Sequence, residues 1–347
     1  MKPLEFRDAG DLIACEGPEV DPGKTSVFSI FRDEMYFAPA FFAHYRAMGV
    51  EQFFIFDDKS TDGTTAFLDA QPDCIRITSD LRYGDEVLVN EPGGKRKRRA
   101  GVYFKGAIPQ VLMPGRFVTY VDADEFLILP PGVTRLDEIT DRLDAEGATA
   151  AFATLVEFFP RDTSGFDTVD APQGFDDLIA ASPYFDAVPL LRPVPGEAAP
   201  EFLAQSKSVR LMEAFDLLPK EPPRKRGFWD RILGRKRQDS SFHQSPRHKT
   251  PIVRHSETTF MVGTHNINHA PSMTVMPTIA HFVFTPQFGR KVARALEWGS
   301  HANGASKYRF YAALLERLGQ QEDGFLEPHS VLYERPEQLI ACGLMRW

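Results

Sequence analysis

The chain has 347 residues, 43% of them hydrophobic and 25% charged, with a formal net charge of −8 and a pI near 5.7. That length can hold one large domain or two ordinary ones around a sizeable core, and the acidic balance speaks against a nucleic-acid partner. The cysteines Cys15, Cys74 and Cys342 are an odd number without CxxC spacing, which argues against a disulfide framework or thiolate metal site and fits a reducing compartment.

The opening MKPLEFRDAGDLIACEGPE lacks a basic start followed by an apolar run, so no signal peptide is expected. No window approaches the roughly 20 apolar residues that cross a bilayer, and a cytoplasmic protein is expected. VFSIF (27–31) reads as a short buried strand. MYFAPAFFAHYRAMGV (35–50) reads as a helix, with Pro39 tolerable in its first turn and Gly49 as its stop. QFFIFDD (52–58) is a second strand, followed by STDGT and a short helix ending near Gln71, and CIRITSD (74–80) is a third. KRKRRAGVYFKGAIPQVLM (95–113) reads as largely helical, with Pro109 disturbing its end, and FVTYV (117–121) is a fourth strand. This alternation predicts parallel βαβ units, whose ligands sit beyond the carboxyl ends of the strands.

The second half reads as looser. LPKEPPRKRGFWDRILGRKRQDSSFHQSPRHK (218–249) is rich in Pro, Ser and charge and reads as a loop or insertion with a local charge of +7. After it come the strand-like stretches TTFMVGTHNINH and TIAHFVF, then a long helical run from about Phe288 to Leu318. The expected organisation is a core over residues 1–215, a basic flexible insertion over 216–250, and a part over 251–347 that completes the site and ends in helices.

FVTYVDADEFLILP (117–130) poses the functional question, because Asp122, Asp124 and Glu125 interrupt a stretch otherwise fit for the core. Burying an unpaired carboxylate is costly, and acids at the end of a central strand face a crevice instead. If residues 121–125 stay extended, Asp122 and Asp124 project to one face and can hold a hard cation such as Mg²⁺ or Mn²⁺, completed by water and phosphates. The bland alternative is a strand cap or an arginine pair. FIFDDKSTDGT (54–64) puts Asp57 and Asp58 at a second strand end; Ser60 or Thr61 reads as the N-cap of the next helix, which leaves the two acids unexplained.

In order, FSIFRDE, HYRAMGV, FFIFDDKSTDGT and YVDADEFL resemble the glycosyltransferase family 2 superfamily, and within it a bacterial subgroup whose metal motif reads D-x-D-E-F. The likeness covers the first 130 residues and continues more weakly through PYFD, GTHN, HF and GSHANGASKYRFYA. It implies an α/β, GT-A-like fold: a Rossmann-like, mainly parallel sheet flanked by helices, with a C-terminal acceptor-side extension. It also implies an inverting transfer, in which a metal-dependent enzyme moves a sugar from a nucleotide-diphosphate donor to a glycan or lipid-linked acceptor of a bacterial surface or secreted polysaccharide.

Carried residue by residue, the likeness assigns Asp57 and Asp58 to the nucleobase and ribose, Asp122 to the ribose and the metal's waters, and Asp124 to the metal itself. Glu125 either bonds around the donor sugar or anchors the loop from behind. GT-A enzymes often add a late histidine to the metal shell, and His265, then His281, are the candidates, each weighed against a hydrogen-bonded core histidine. GGKRKRR (93–99) is expected to open the helix before the metal strand, with Arg99 and Lys105 in reach of the donor and Lys249 and Arg254 approaching from the other side. An inverting transfer needs a carboxylate to take the acceptor's proton. Glu157 and Asp162 are the candidates, without the E-D motif usual in the superfamily. The alternatives are a degenerate domain that only binds a glycan or a partner, and a nucleotidyltransferase, whose Gly-rich phosphate loop is missing from VFSIFRDEMYF.

Within 224–237, Phe228, Trp229, Ile232 and Leu233 share one helical stripe flanked by seven Lys/Arg. That is the pattern of a short helix lying on an anionic membrane, which suggests peripheral contact with the inner face; the bland alternative is a solvated, disordered loop.

Overall fold

The computed structural model describes residues 2–91, 93–168, 170–218, 246–263, 265–298, 306–321 and 324–347. The apolar and basic stripe of 224–237 lies outside the described residues. No described helix is long and apolar enough to cross a membrane.

In chain order the first part gives β1 (Ala14–Glu16), β2 (Ser26–Phe31), α1 (Ala38–Ala47), β3 (Gln52–Asp57), α2 (Thr64–Asp69), β4 (Cys74–Thr78), β5 (Glu86–Glu91), β6 (Gly94–Arg99), α3 (Ala100–Leu112) and β7 (Phe117–Tyr120). Then come β8 (Glu125–Ile128), α4 (Leu136–Ala145), β9 (Ala150–Glu157), α5 (Phe175–Ala181), β10 (Tyr184–Asp186), β11 (Leu191–Arg192), β12 (Glu201–Phe202) and α6 (Lys207–Ala214). The last part holds β13 (His248–Arg254), β14 (Met261–Val262), β15 (Asn266–Ile267), β16 (Thr278–His281), helices Phe288–Trp298 and Ser306–Leu318, β17 (Ser330–Leu332) and a closing helix Glu337–Ala341.

One sheet organises the molecule. Its nine strands, among the described residues, run β1-β4-β3-β2-β7-β13-β9-β16-β8. The block β4-β3-β2-β7 is parallel, as the alternation of strands and helices predicts. Beyond it β13 runs antiparallel to both β7 and β9, while β16 is parallel to β9 and antiparallel to β8. The class is therefore α/β, a large central sheet with helices on its faces.

The strands look uniformly apolar because both faces are covered. On β3, Phe53 and Ile55 face a core shared with α1, α4 and α5, whereas Phe54 and Phe56 face a second core shared with α3. Phe41 of α1 is fully buried against Phe31, Tyr45, Phe53 and Phe126. Deleting such a ring typically costs about 3–5 kcal/mol.

Three elements differ from the sequence reading. Residues 94–99 are not the start of a helix but strand β6, paired with β5, and α3 begins only at Ala100. Gly93 and Gly94 adopt φ of 96° and 116°, which turns the chain, while Val87 and Val89 are buried on alternate positions of β5. Pro109 sits inside α3, which still runs to Leu112. The stretch read as an insertion ends earlier than expected: from His248 onward it is a buried central strand, and Lys249 is fully buried.

Candidate functional site

The topology points to one place. The chain lays down β2, then steps outward through β3 to β4, and returns to the other side of β2 with β7. In sheets of this kind ligands bind where the strand order reverses, which here is beyond the carboxyl ends of β2 and β7. Arg32 follows β2, Asp58 follows β3, and Asp122 follows β7 by two residues.

Asp58 ties these ends together. Its main-chain N donates to Phe31 O at 2.9 Å, and its carboxylate accepts from Tyr83 N at 3.0 Å and from the Arg32 guanidinium at 3.3 Å. Burial raises its carboxyl above the usual range, against those bonds. Asp57 serves the turn. Its two oxygens accept from Ser60 N at 2.9 Å and the Thr65 hydroxyl at 2.5 Å. The cap of α2 is Gly63, at φ 101°, rather than Ser60 or Thr61, and Asp62 accepts from Thr64 N.

Tyr83 is the residue that sequence reading missed on this side. The Arg99 guanidinium lies 5.2 Å from its ring centre and the Lys105 ammonium 5.7 Å, so two of the expected donor-side residues gather around one phenol. Gly101 makes room for it: a Cβ there would stand 2.0 Å from the Tyr83 ring. The other cations of β6 go elsewhere, Lys97 to Glu86 at 2.6 Å and Arg98 to Glu91 at 2.6 Å, on the exposed hairpin.

Residues 122–125 do not stay extended. Glu125 N donates to Asp122 O at 3.0 Å, and the Glu125 carboxylate accepts from Asp122 N at 2.7 Å, so the acids ride on a closed turn. α1 and β2 hold that turn from behind. The Tyr45 hydroxyl donates to Glu125 O at 2.9 Å and accepts from Leu127 N, His44 Nε2 bonds Leu127 O at 2.9 Å, and the Ser29 hydroxyl donates to Val121 O at 2.6 Å. Burial lowers the His44 pKa to about 4, which keeps the ring neutral. The HYRAMGV segment thus positions the turn.

The two acids meet different partners. Asp122 accepts from the Tyr120 hydroxyl, from Lys105 Nζ at 3.2 Å and from Lys249 Nζ at 3.1 Å. Burial works against its charge, but the two ammonium groups outweigh it and hold the carboxyl well below the usual range. Glu125 accepts from Lys249 as well, and burial still pushes its carboxyl upward. Asp124 accepts from Lys291 Nζ at 2.9 Å, and His281 Nε2 lies 3.8 Å from its other oxygen. Despite burial, Lys291 and then His281 lower its pKa.

The remaining predicted residues separate. His265 bonds the main-chain oxygen of His248 at 3.1 Å; burial and then the Lys249 charge push its pKa down to about 3. Arg254 pairs with Asp144 and stacks over Phe117, away from the acids. Glu157 accepts from Ser208 N at 2.5 Å and from the Ser208 hydroxyl at 2.8 Å, which ties it to the start of α6. Asp162 accepts from Ser164 N at 2.8 Å and is lowered by the Ser164 bonds. It lines a cavity of about 680 Å³. A second cavity of about 410 Å³ opens on Asp124 and Lys291 and shares Tyr36 with the first.

Among the described residues no three His, Cys, Asp or Glu gather as a metal site. A hard cation that meets its substrate through phosphates takes only one or two carboxylates, however. Asp124, which lines the smaller cavity, and His281, whose Nε2 lies 3.8 Å from one of its oxygens, fit such a cation. Asp122 already accepts three hydrogen bonds and has one acceptor position left.

No family model matches the chain, and no curated protein does. Among solved structures, a UDP-glucose pyrophosphorylase from Acinetobacter baumanii is similar at 12% identity over 43% of this chain and 62% of that one, with a TM-score of 0.24. The chain thus spans less than two thirds of that enzyme's length, and what the site can do follows from its own geometry.

Proposed function

We propose that this chain is a glycosyltransferase that binds a nucleotide-diphosphate sugar in the crevice between Asp58 and Asp122 and passes the sugar to a glycan. One observation carries the reading: Asp58 and the Asp122–Asp124 turn leave the carboxyl ends of parallel strands on either side of the strand-order reversal. Asp58, with Arg32 and Tyr83 fixed upon it, faces the base and ribose. Arg99, Lys105 and Lys291 supply positive charge for the diphosphate. Asp122 orients Lys105 and the ribose side of the donor.

Asp124 and His281 would hold Mn²⁺ or Mg²⁺, whose charge stabilises a leaving diphosphate. Lys291 occupies one oxygen of Asp124 until a metal ion takes its place. Asp162 is the better of the two carboxylates for the acceptor's proton, because it lines an open cavity whereas Glu157 is bound at both oxygens. The turn after β2, RDEMYF, has no glycine, which disfavours a nucleotidyltransferase phosphate loop.

The test is calorimetry of the nucleoside diphosphates with Mn²⁺ present, followed by release of nucleoside diphosphate from a panel of nucleotide sugars. A ligand at a hundredfold excess over its Kd stabilises the fold by about 2.7 kcal/mol, which a thermal scan also reads. Asp124→Ala should abolish release and keep the fold. Absence of binding by every nucleoside diphosphate would sink the reading, and consumption of a nucleoside triphosphate with a sugar phosphate would replace it with nucleotidyl transfer.

A further inference from the structure

The cavity beside Asp162 has no part in donor binding, yet its volume of about 680 Å³ falls within the range of small-molecule sites. It adjoins the cavity that opens on Asp124, and both share the Tyr36 and Ala171 walls. Its lining combines aromatic rings, Tyr36, Phe166 and Tyr184, with the carboxylates Asp162, Asp170 and Asp177 and one guanidinium, Arg161.

The rings and acids are held in place. Tyr184 exchanges two main-chain hydrogen bonds with Phe159, at 2.9 and 3.1 Å, and stacks on its ring at 6.4 Å. Phe166 leans on Phe325 at 6.2 Å between ring centres. Asp177 accepts from Gln173 N at 2.8 Å, as Asp162 does from Ser164 N, so both carboxylates are oriented before any ligand arrives.

We infer that this cavity is the acceptor site and that it takes a neutral or amino-substituted saccharide, not an anionic one. A sugar ring has an apolar C–H face that packs on an aromatic plane and a rim of hydroxyl donors that carboxylates accept. Three carboxylates against one guanidinium repel a phosphate or uronate and welcome an ammonium group. The position fits transfer, since a hydroxyl reaching past Tyr36 enters the cavity on which Asp124 opens. This rests on the glycosyltransferase reading but names the other substrate, and its test uses no donor.

The experiment is saturation-transfer NMR with calorimetry on the full chain, using maltotriose, chitotriose, glucosamine, glucuronic acid and glucose 6-phosphate as probes. At least one neutral or amino sugar should bind, tenfold or more tighter than either anion. Tyr184→Leu and Asp177→Asn should each weaken that sugar at least fivefold and leave affinity for a nucleoside diphosphate unchanged. The inference is overturned if neither the neutral nor the amino sugars bind at tens of millimolar, if an anion binds best, or if both variants keep parental sugar affinity. Nucleoside diphosphate binding without saccharide binding would remove this site alone; saccharide binding without any nucleoside diphosphate would remove the transferase reading instead.

Discussion

Lys249→Met is the most revealing single change, because it removes one charge from a buried cluster while nearly preserving volume. Lys249 is fully buried, and its ammonium donates to Glu125, whose side chain is 3% exposed, and to Asp122, which is 37% exposed. The Asp122 contact keeps a second ammonium, that of Lys105 at 3.2 Å, when Lys249 is lost. The Glu125 contact does not, and removing one partner of a buried pair costs about 3–5 kcal/mol because the other charge stays behind. At about 2.1 cal/mol/K of unfolding entropy per residue, a chain of 347 residues should lose about 4–7 °C in Tm.

The deficit should depend on pH. Burial already raises the folded-state carboxyl of Glu125, and loss of the lysine raises it further. A raised carboxyl is no burden below its unfolded pKa, where both states are protonated, and weakens the fold as pH climbs through the folded value. Urea melts should therefore show a larger deficit at pH 8 than at pH 5. Adding Glu125→Gln should recover most of the loss. A deficit below about 1 kcal/mol at pH 8, or a double variant no better than the single one, would refute the buried-pair reasoning.

Four further outcomes are expected. Lys291→Met should tighten Mn²⁺ binding in the absence of nucleotide, since it removes the cation that competes for Asp124; unchanged affinity by titration calorimetry would argue against a metal there. Asp58→Ala should weaken nucleoside diphosphate binding at least tenfold, because Tyr83 and Arg32 lose their common acceptor, and equal affinity would rule that role out. Gly101→Ala should displace the Tyr83 ring, because the added Cβ would stand 2.0 Å from it, and lower nucleotide affinity several-fold; parental affinity would show the ring to be idle. Glu157→Gln should cost about 1 kcal/mol by weakening the tie to α6 and leave turnover within severalfold, whereas a hundredfold loss would make Glu157 the base.

The parallel block was legible because strands buried on both faces are written as runs such as FFIF, with acids at their carboxyl ends. Asp58, Asp122 and Asp124 follow from that pattern. The hairpin of β5 and β6 was not, because GKRKRR alone has the composition of a solvated helix face; its partner VLV and the two glycines were the available signal. Lys291 could not be read at all, and Lys249 was legible only as a cation approaching the donor, not as the buried partner of Glu125 and Asp122. Each is an ordinary lysine in its own segment, one beside a basic stretch and one on an amphipathic helix, and only the tertiary fold sets it against a carboxylate more than a hundred residues away.

The place of β13 in the sheet bears on how the molecule is made. Through residue 218 the emerging chain owns seven of the central sheet's nine described strands, but β7 and β9 have no common neighbour until β13 arrives, and β8 has none until β16 does. A nascent chain therefore carries open strand edges through much of its synthesis, a state prone to aberrant pairing, and closes them only through contacts of long sequence separation. The same two strands deliver Lys249 and His281. Assembly of the sheet and arrival of the last charges at the acids are one event, so a chain cut short before residue 281 is expected to be insoluble rather than partly active.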